Sequence, residues 1–187
     1  MAALDLRFDL IDHADQMDDE CIERLVKQGT FVTPSLYFTY AMAEEHRCSG
    51  KTEYFNDEMK RGLEYSYKMI PRAHAAGVKL VIGDDFGIAG LMHGDYAKEL
   101  EAYVKGAGIP ALDVIGWATR NGAEMLGMKD DLGTIEAGKL ADLLVVNGDP
   151  VRDIRVLQDR TNLDVIMKGG KFVECQLTPG KAVAKSA

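Results

Sequence analysis

The sequence predicts an α/β fold in which parallel strands alternate with helices, followed by a shorter antiparallel β segment. Three apolar runs, at residues 6–11, 30–33 and 78–82, each lead into a polar cluster and then into a helical pattern. Strands that alternate with helices in this way pair in parallel through right-handed crossovers. From Gly133 onward the pattern changes to short β runs separated by turn residues, so we place a boundary near residue 128.

The composition narrows the functional classes. The chain has 187 residues, of which 47% are hydrophobic, so it should bury a core. Its formal net charge of −8 argues against nucleic acid or an anionic membrane surface as a partner, because both require a basic face. No apolar run approaches about 18 residues and no signal-peptide pattern opens the chain, so we expect a cytoplasmic protein. Cys21, Cys48 and Cys175 form neither a disulfide framework nor a zinc-finger pattern.

The first half of the chain carries signals for where elements begin and end. Asp18 is placed to cap a helix that Gly29 closes. Pro34 ends the run at residues 30–33, because proline cannot donate to a strand ladder. Residues 37–52 have no clean period, which suits a loop or a short helix over the mouth of the sheet.

Three longer helices are predicted next. Residues 56–76 have a helical pattern, although Pro71 should kink or split that helix. Residues 96–105 are amphipathic, and a further helix covers residues 111–126 with Trp117 beside its apolar face. The buried stripe predicted for this last helix consists of Leu112, Ile115, Ala118, Thr119, Ala123 and Leu126.

The C-terminal part reads as antiparallel β structure. Short β runs are predicted at residues 133–135, 141–147, 165–167 and 171–173. Gly169 and Gly170, between the last two runs, are typical of a tight hairpin. Residues 176–187 have a turn and small-residue composition, and we expect them to form a disordered tail.

Polar side chains gather where the predicted parallel strands end. Asp84 and Asp85 follow the run at residues 78–82, and His13 follows the run at residues 6–11. In parallel α/β folds, ligands and catalytic groups collect at this end of the sheet. The aspartates equally suit a polar turn, and a histidine after a strand is often structural. The residues alone leave both interpretations open.

The order of these motifs points to a known family. Three strands end in I-D-H, T-P-S and G-D-D, a later helix contains A-T-R-N-G-A, and the run G-T-I-E-A-G-K-L-A-D-L-L-V-V begins at Gly133. Together they resemble the C-terminal half of the amidohydrolase superfamily, in particular its imidazolonepropionase-like and Xaa-Pro dipeptidase-like members. The resemblance covers about residues 8–173, and G-K-x-A-D is its most specific segment.

The resemblance implies a partial (β/α)8 TIM-type barrel. On that pattern residues 1–128 hold the last three βα units of the barrel, and residues 129–175 form the β segment of a small composite sandwich. The family's catalytic site holds one or two divalent metals, usually zinc. The implied function is hydrolysis of a C–N bond, in a small amide, cyclic amide or dipeptide, by metal-activated water.

The same resemblance assigns candidate site residues. His13, after the sixth barrel strand, would be a metal ligand or a substrate contact. Asp85, after the eighth strand, would bind the metal and act as general base, with Asp84 the lesser candidate because the register favours Asp85. The loop candidates for substrate binding are Tyr37, Tyr40 and His93.

Several of the family's ligands have no counterpart in the sequence. It contains no His-x-His pair, and neither the strand-four lysine or glutamate nor the strand-five histidine is found. We therefore expect a C-terminal fragment that is incompetent alone, or a half-barrel subunit that associates with a complementary chain. A non-catalytic role is the alternative. A binding-only role for the glycine-rich residues 83–94 has little support, because the phosphate-loop lysine spacing is missing.

Overall fold

In the part of the chain that the structure describes, the strands form two three-stranded sheets, one parallel and one antiparallel. The computed structural model describes residues 1–14, 16–43, 53–83, 85–87 and 91–177. The parallel sheet contains β1 (Leu10–Asp12), β2 (Phe31–Thr33) and β3 (Lys79–Leu80). The antiparallel sheet contains β4 (Leu143–Val146), β5 (Leu163–Lys168) and β6 (Lys171–Cys175).

Helices connect and cover these strands. The α-helices of the described residues are α1 (Ala2–Asp5), α2 (Asp19–Gln28), α3 (Leu36–Ala43), α4 (Glu53–Ala76), α5 (Ala97–Glu101), α6 (Ala111–Gly116) and α7 (Gly122–Met125). A π-helical turn, Ala102–Gly106, extends α5, and a second, Trp117–Asn121, joins α6 to α7. Two short 3-10 helices, Ile154–Leu157 and Arg160–Asn162, precede β5.

The parallel sheet lies at the centre of the main core. β2 is its middle strand: Ile11 pairs with Val32, and Val32 pairs with Leu80, which confirms the predicted parallel pairing. Val32 and Leu80 are fully buried, in the same cluster as apolar side chains of α2 and α4. Burial beneath these helices explains why the strand segments of the sequence are rich in apolar residues.

The first strand is shorter than its pattern predicts. α1 occupies residues 2–5, and Arg7, at φ +57°, turns the chain before β1 begins. Leu6 and Phe8 are exposed, at 73% and 55%. The alternation at residues 6–11 therefore does not mark one buried strand face, and only the end of that run joins the sheet.

The signals around α2 are confirmed, whereas the prediction for Pro71 is wrong in part. Asp18 accepts the Cys21 N–H at 2.8 Å, and Gly29 ends α2 with a left-handed backbone. α4 is not split at Pro71, because one helix runs through it. Ile70 and Ala73, on either side of the proline, are buried in the same core, and this packing holds both halves of α4 on one surface.

The buried stripe predicted for residues 111–126 is wrong for four of its six members, because Leu112, Ala118, Thr119 and Leu126 are exposed. Leu112 and Leu126 are exposed, at 63% and 65%. A π-helical turn adds a residue to the turn and shifts the phase of the helix, so one 3.6-residue period does not describe the whole segment. The side chains actually buried in this segment are those of Ala111, Val114, Trp117 and Ala123.

The C-terminal sheet confirms the predicted hairpin. β5 and β6 pair in antiparallel fashion up to Lys168 and Lys171, and the two glycines between them have positive φ angles. The β run predicted at residues 133–135 is wrong: this segment is not a strand, and Ile135 is 89% exposed. The predicted tail falls mostly on residues 178–187, outside the described residues.

Lys139 explains why residues 129–134 form a turn. Its ammonium donates to the carbonyl oxygens of Lys129 and Leu132, at 2.7 and 3.4 Å, and to Thr134 Oγ1 at 2.5 Å. Further along the same G-K-x-A-D segment, Asp142 accepts the Gly169 N–H at 2.6 Å, at the tip of the hairpin. The most specific segment of the sequence thus organises turns.

Among the described residues no helix combines the length and apolar character needed to cross a membrane.

Candidate functional site

His13 stands at the carboxyl end of β1 on a left-handed backbone. Its N–H donates to the Thr33 carbonyl oxygen at 2.9 Å, which continues the β1–β2 ladder by one residue. Its φ angle is +55°, a conformation that non-glycine residues adopt rarely and often at functional sites. This backbone turn brings the imidazole to the edge of the sheet where the strands end.

Asp85 reaches the same edge from β3. Its Oδ2 lies 3.1 Å from Nε2 of His13, and both side chains are accessible, at 43% and 39% exposure. Proximity of the two residues follows from parallel pairing, since the carboxyl ends of parallel strands meet at one edge. Asp84, the lesser candidate, lies outside the described residues.

Asn121 supports the strand that carries Asp85. This residue belongs to the A-T-R-N-G-A segment, and its Nδ2 donates to the Leu80 carbonyl oxygen at 2.8 Å. Lys79, also in β3, pairs with Glu124 at 2.7 Å. Two side-chain contacts from the Trp117–Met125 region therefore fix β3 shortly before its polar end.

One aromatic ring contacts His13, and a cluster of three rings includes the residue that follows Asp85. The Phe38 ring meets the His13 ring edge to face, with centroids 6.1 Å apart. Phe86, directly after Asp85, stacks on Tyr37 at 6.2 Å and meets Tyr96 edge to face at 4.8 Å. The rings give this end of the sheet an apolar wall, which suits an apolar group beside a polar reacting centre.

The loop candidates occupy different environments. Tyr37 is only 5% exposed and stacks on Tyr40 at 6.2 Å, so its position favours packing over contact with a substrate. His93 is exposed, and its Nδ1 lies 3.0 Å from the Tyr96 hydroxyl oxygen. Substrate binding by these residues stays a prediction.

Glu99 is a residue that reasoning from the sequence missed. It is completely buried on α5, and its carboxylate accepts the N–H groups of Leu36 and Tyr37 at 2.8 and 2.6 Å. One signal was available, because Glu99 lies four residues before Tyr103 and therefore on the inward face of its helix. Its acceptor role could not be inferred, since the two amides are more than sixty residues away.

The donor set fits a zinc site in kind but not in number. Imidazole nitrogen and carboxylate oxygen are both zinc ligands, and the two atoms converge at 3.1 Å. A catalytic zinc takes about three protein ligands, and no group of three or more such side chains occurs among the described residues. His13 and Asp85 can therefore supply two ligands of a site that needs at least one more.

A second histidine–aspartate pair provides an internal comparison. Nε2 of His74 lies 3.3 Å from Oδ2 of Asp113, and the His74 ring meets Trp117 at 5.4 Å. This pair joins α4 to α6 in the helical layer and does not lie at a strand end. Both pairs join an imidazole nitrogen to a carboxylate oxygen, but only the His13–Asp85 pair lies at the strand ends. The His74–Asp113 pair therefore serves as a control in experiments on the His13–Asp85 pair.

Comparison with known proteins identifies relatives of the chain. The model of the "Amidohydrolase family" matches residues 9–173. A solved Xaa-Pro dipeptidase with bound methionine is 32% identical with a TM-score of 0.80, and the match covers 92% of this chain and 41% of the dipeptidase. The solved Aspergillus niger ochratoxinase is 23% identical with a TM-score of 0.82, covering 94% and 39%, and supports the fold alone. These neighbours indicate an α/β TIM-type fold.

Curated relatives also match this chain over only part of their own length. Ochratoxinase of Aspergillus niger is 25% identical over 174 residues, which is 92% of this chain and 35% of the relative. A 5-methylthioadenosine/S-adenosylhomocysteine deaminase of Moorella thermoacetica is 38% identical over 80 residues, 39% of this chain and 19% of the enzyme. The chain thus spans no more than about two fifths of the length of these relatives.

Proposed function

The chain belongs to the amidohydrolase family, and we propose that it is part of a metal-dependent hydrolase acting on a C–N bond. The substrate class is a small amide, a cyclic amide or a dipeptide. The observation that carries the proposal is the 3.1 Å approach of His13 Nε2 to Asp85 Oδ2 at the carboxyl ends of parallel strands. Relatives named as a dipeptidase and a deaminase support C–N chemistry.

In this proposal His13 and Asp85 share the task of metal ligation, and Asp85 also transfers a proton. Members of the family usually hold a divalent metal, commonly zinc, which when bound polarises a carbonyl group and makes hydroxide available near neutral pH. His13 and Asp85 would hold that metal through Nε2 and a carboxylate oxygen. The Asp85 carboxylate, accessible at the sheet edge, also accepts a proton from the attacking water and returns it to the leaving nitrogen. The Phe38 ring places an apolar surface directly against the His13 imidazole.

We propose further that the remaining ligands come from outside these residues. The three parallel strands correspond to the sixth, seventh and eighth strands of a barrel, with the residues after 128 forming the sandwich segment. Two observations support this: the match covers only 41% of the dipeptidase, and the described residues offer two ligands. The chain alone is then incompetent, and it gains activity only with a complementary barrel portion.

Zinc binding and turnover of the purified chain test the proposal. We expect weak zinc binding that Asp85→Asn reduces at least tenfold, since it removes one of two donors. Asp113→Asn is the matched control, because it changes the second histidine–aspartate pair in the same way and should leave zinc affinity unchanged. Equal loss in both variants, or no zinc binding by the wild-type chain at millimolar metal, would contradict the assigned ligands.

Turnover tests the proposed incompetence of the isolated chain. We expect no hydrolysis of Xaa-Pro dipeptides, N-acyl amino acids or cyclic imides by the chain alone. Stoichiometric zinc, together with turnover that Asp85→Asn abolishes, would overturn the proposed incompetence of the isolated chain. Sedimentation of the chain at several concentrations then measures its own oligomeric state.

A further inference from the structure

Glu99 joins two parts of the chain through its carboxylate. One oxygen accepts the Leu36 N–H at 2.8 Å, and the other accepts the Tyr37 N–H at 2.6 Å. These amides open α3, where the first N–H groups of a helix have no acceptor within the helix. A buried carboxylate that accepts two amide hydrogen bonds at a helix N-terminus is held by charge, helix dipole and geometry together.

The start of α3 depends on this distant acceptor. A serine that caps a helix normally has an extended backbone, with its side chain turned toward the first amides. Ser35, directly before α3, instead has a φ angle of +52°, in the left-handed region. Glu99 supplies the acceptors from 63 residues further along the chain. The position of the first turn of α3 is therefore set by α5.

The first turn of α3 carries one ring that contacts His13 and another that contacts Phe86, the residue after Asp85. Phe38 meets the His13 ring at 6.1 Å. Tyr37 stacks on Phe86 at 6.2 Å, and Phe86 is the residue after Asp85. A shift of this turn would therefore change the support of His13 and of the segment carrying Asp85 at once.

We propose that Glu99 is a positioning residue for the His13–Asp85 site. Its carboxylate fixes the first turn of α3, and that turn presses Phe38 against His13 and Tyr37 against Phe86. Glu99 touches neither the reacting atoms nor a substrate in this role. Its importance for hydrolysis rests on the proposed function, whereas its effect on the His13 ring can be measured without any activity.

Glu99→Gln tests the first link. The glutamine has nearly the same shape, but it offers one acceptor oxygen where the carboxylate offers two. We expect amide hydrogen exchange at Leu36 and Tyr37 to accelerate at least tenfold. The NMR order parameter of the His13 ring should fall from that of a rigid group toward that of a flexible one. Glu101→Gln, on the same helix but bonded to Gln158, is the control and should change neither quantity.

Phe38→Leu tests the second link, and it does so whether or not Glu99→Gln folds. It removes the ring that meets His13, so the order parameter of the His13 ring should fall while exchange at Leu36 and Tyr37 stays the same. A His13 ring that remains equally rigid in Phe38→Leu, or in a folded Glu99→Gln, overturns the positioning role.

A measurement of zinc binding distinguishes failure of the positioning role from failure of the proposed function. If the His13 ring loosens in both variants and the wild-type chain takes up no zinc, positioning stands and the proposed function fails. If the wild-type chain binds zinc through Asp85 and both variants keep a rigid His13 ring, the proposed function stands and positioning fails.

Discussion

The Cα atom of Gly83 approaches Thr33 so closely that a Cβ at residue 83 would lie 2.7 Å from the Thr33 methyl carbon. This contact brings the ends of β2 and β3 together just before Asp85. We expect Gly83→Ala to destabilise the protein by about 1–3 kcal/mol, as overpacking of a buried contact does. Urea unfolding followed by circular dichroism measures the change.

Two variants control for this effect. Gly62, within α4, has only Thr39 near its added Cβ, at 3.9 Å, so Gly62→Ala should stabilise by about 0.5–1 kcal/mol. Thr33→Ser removes the methyl group that Gly83→Ala would strike, and the double variant should recover part of the loss. An unchanged unfolding midpoint in Gly83→Ala would show that the strand ends are not packed this closely.

Lys139 holds the turn before the second sheet. Lys139→Met removes the donor to two carbonyl oxygens and to Thr134, and the side chain is only 13% exposed. We expect a loss of about 1–3 kcal/mol in the free energy of unfolding, because the acceptors lose a charged partner. Lys129→Met is the control: its side chain is exposed, so the loss there should stay within about 0.5 kcal/mol.

The pH dependence of stability has an identifiable source at Asp153. Hydrogen bonds from the Arg155 side chain and backbone lower the pKa of Asp153 from 3.8 to about 2. A carboxyl group whose pKa is lower in the folded state stabilises the fold above its unfolded pKa. That contribution should therefore be complete above about pH 4 and be lost as the pH falls toward 2.

Asp153→Asn checks this assignment. The variant should lose less stability than the wild-type protein between about pH 4 and pH 2, because it has no proton to take up at residue 153. Unfolding midpoints at several pH values give the two slopes. Glu174, whose pKa Arg160 also lowers, remains in both proteins and contributes to the slope that is left.

His93 rests on the turn after Asp85. A Cβ at Gly87 would lie 2.5 Å from His93 Nε2, so Gly87→Ala should displace the imidazole and break its contact with Tyr96. Gly94→Ala is a matched control, since Gly94 also has a positive φ angle but open space around it. The NMR signals of the His93 ring should move in Gly87→Ala and change less in the control.

Local signals made part of this fold predictable. Asp18 and Gly29 mark the ends of α2 by chemistry that acts over a few residues. The meeting of His13 and Asp85 could also be expected, because it follows from parallel pairing and not from any contact specific to this chain.

Long-range contacts and irregular helices were not predictable. The phase of the Trp117–Asn121 turn depends on packing, so a single helical period places Leu112 inward although it is exposed. Residues 133–135 have a β composition, but Lys139 holds the chain there in a turn. Glu99 lies between a lysine and a leucine and resembles an ordinary surface residue until its amide partners on α3 are known.

The left-handed backbone of His13 determines which exchanges this position tolerates. Glycine and asparagine adopt that conformation most readily, whereas alanine and branched residues resist it, by about 1–2 kcal/mol in the usual case. The substitutions of His13 that destabilise the fold least are therefore ones that keep the turn but remove the imidazole. Substitution of His13 by glycine or asparagine would remove the imidazole and keep the fold. A histidine retained at this position in related sequences would therefore indicate selection for the chemistry of the imidazole.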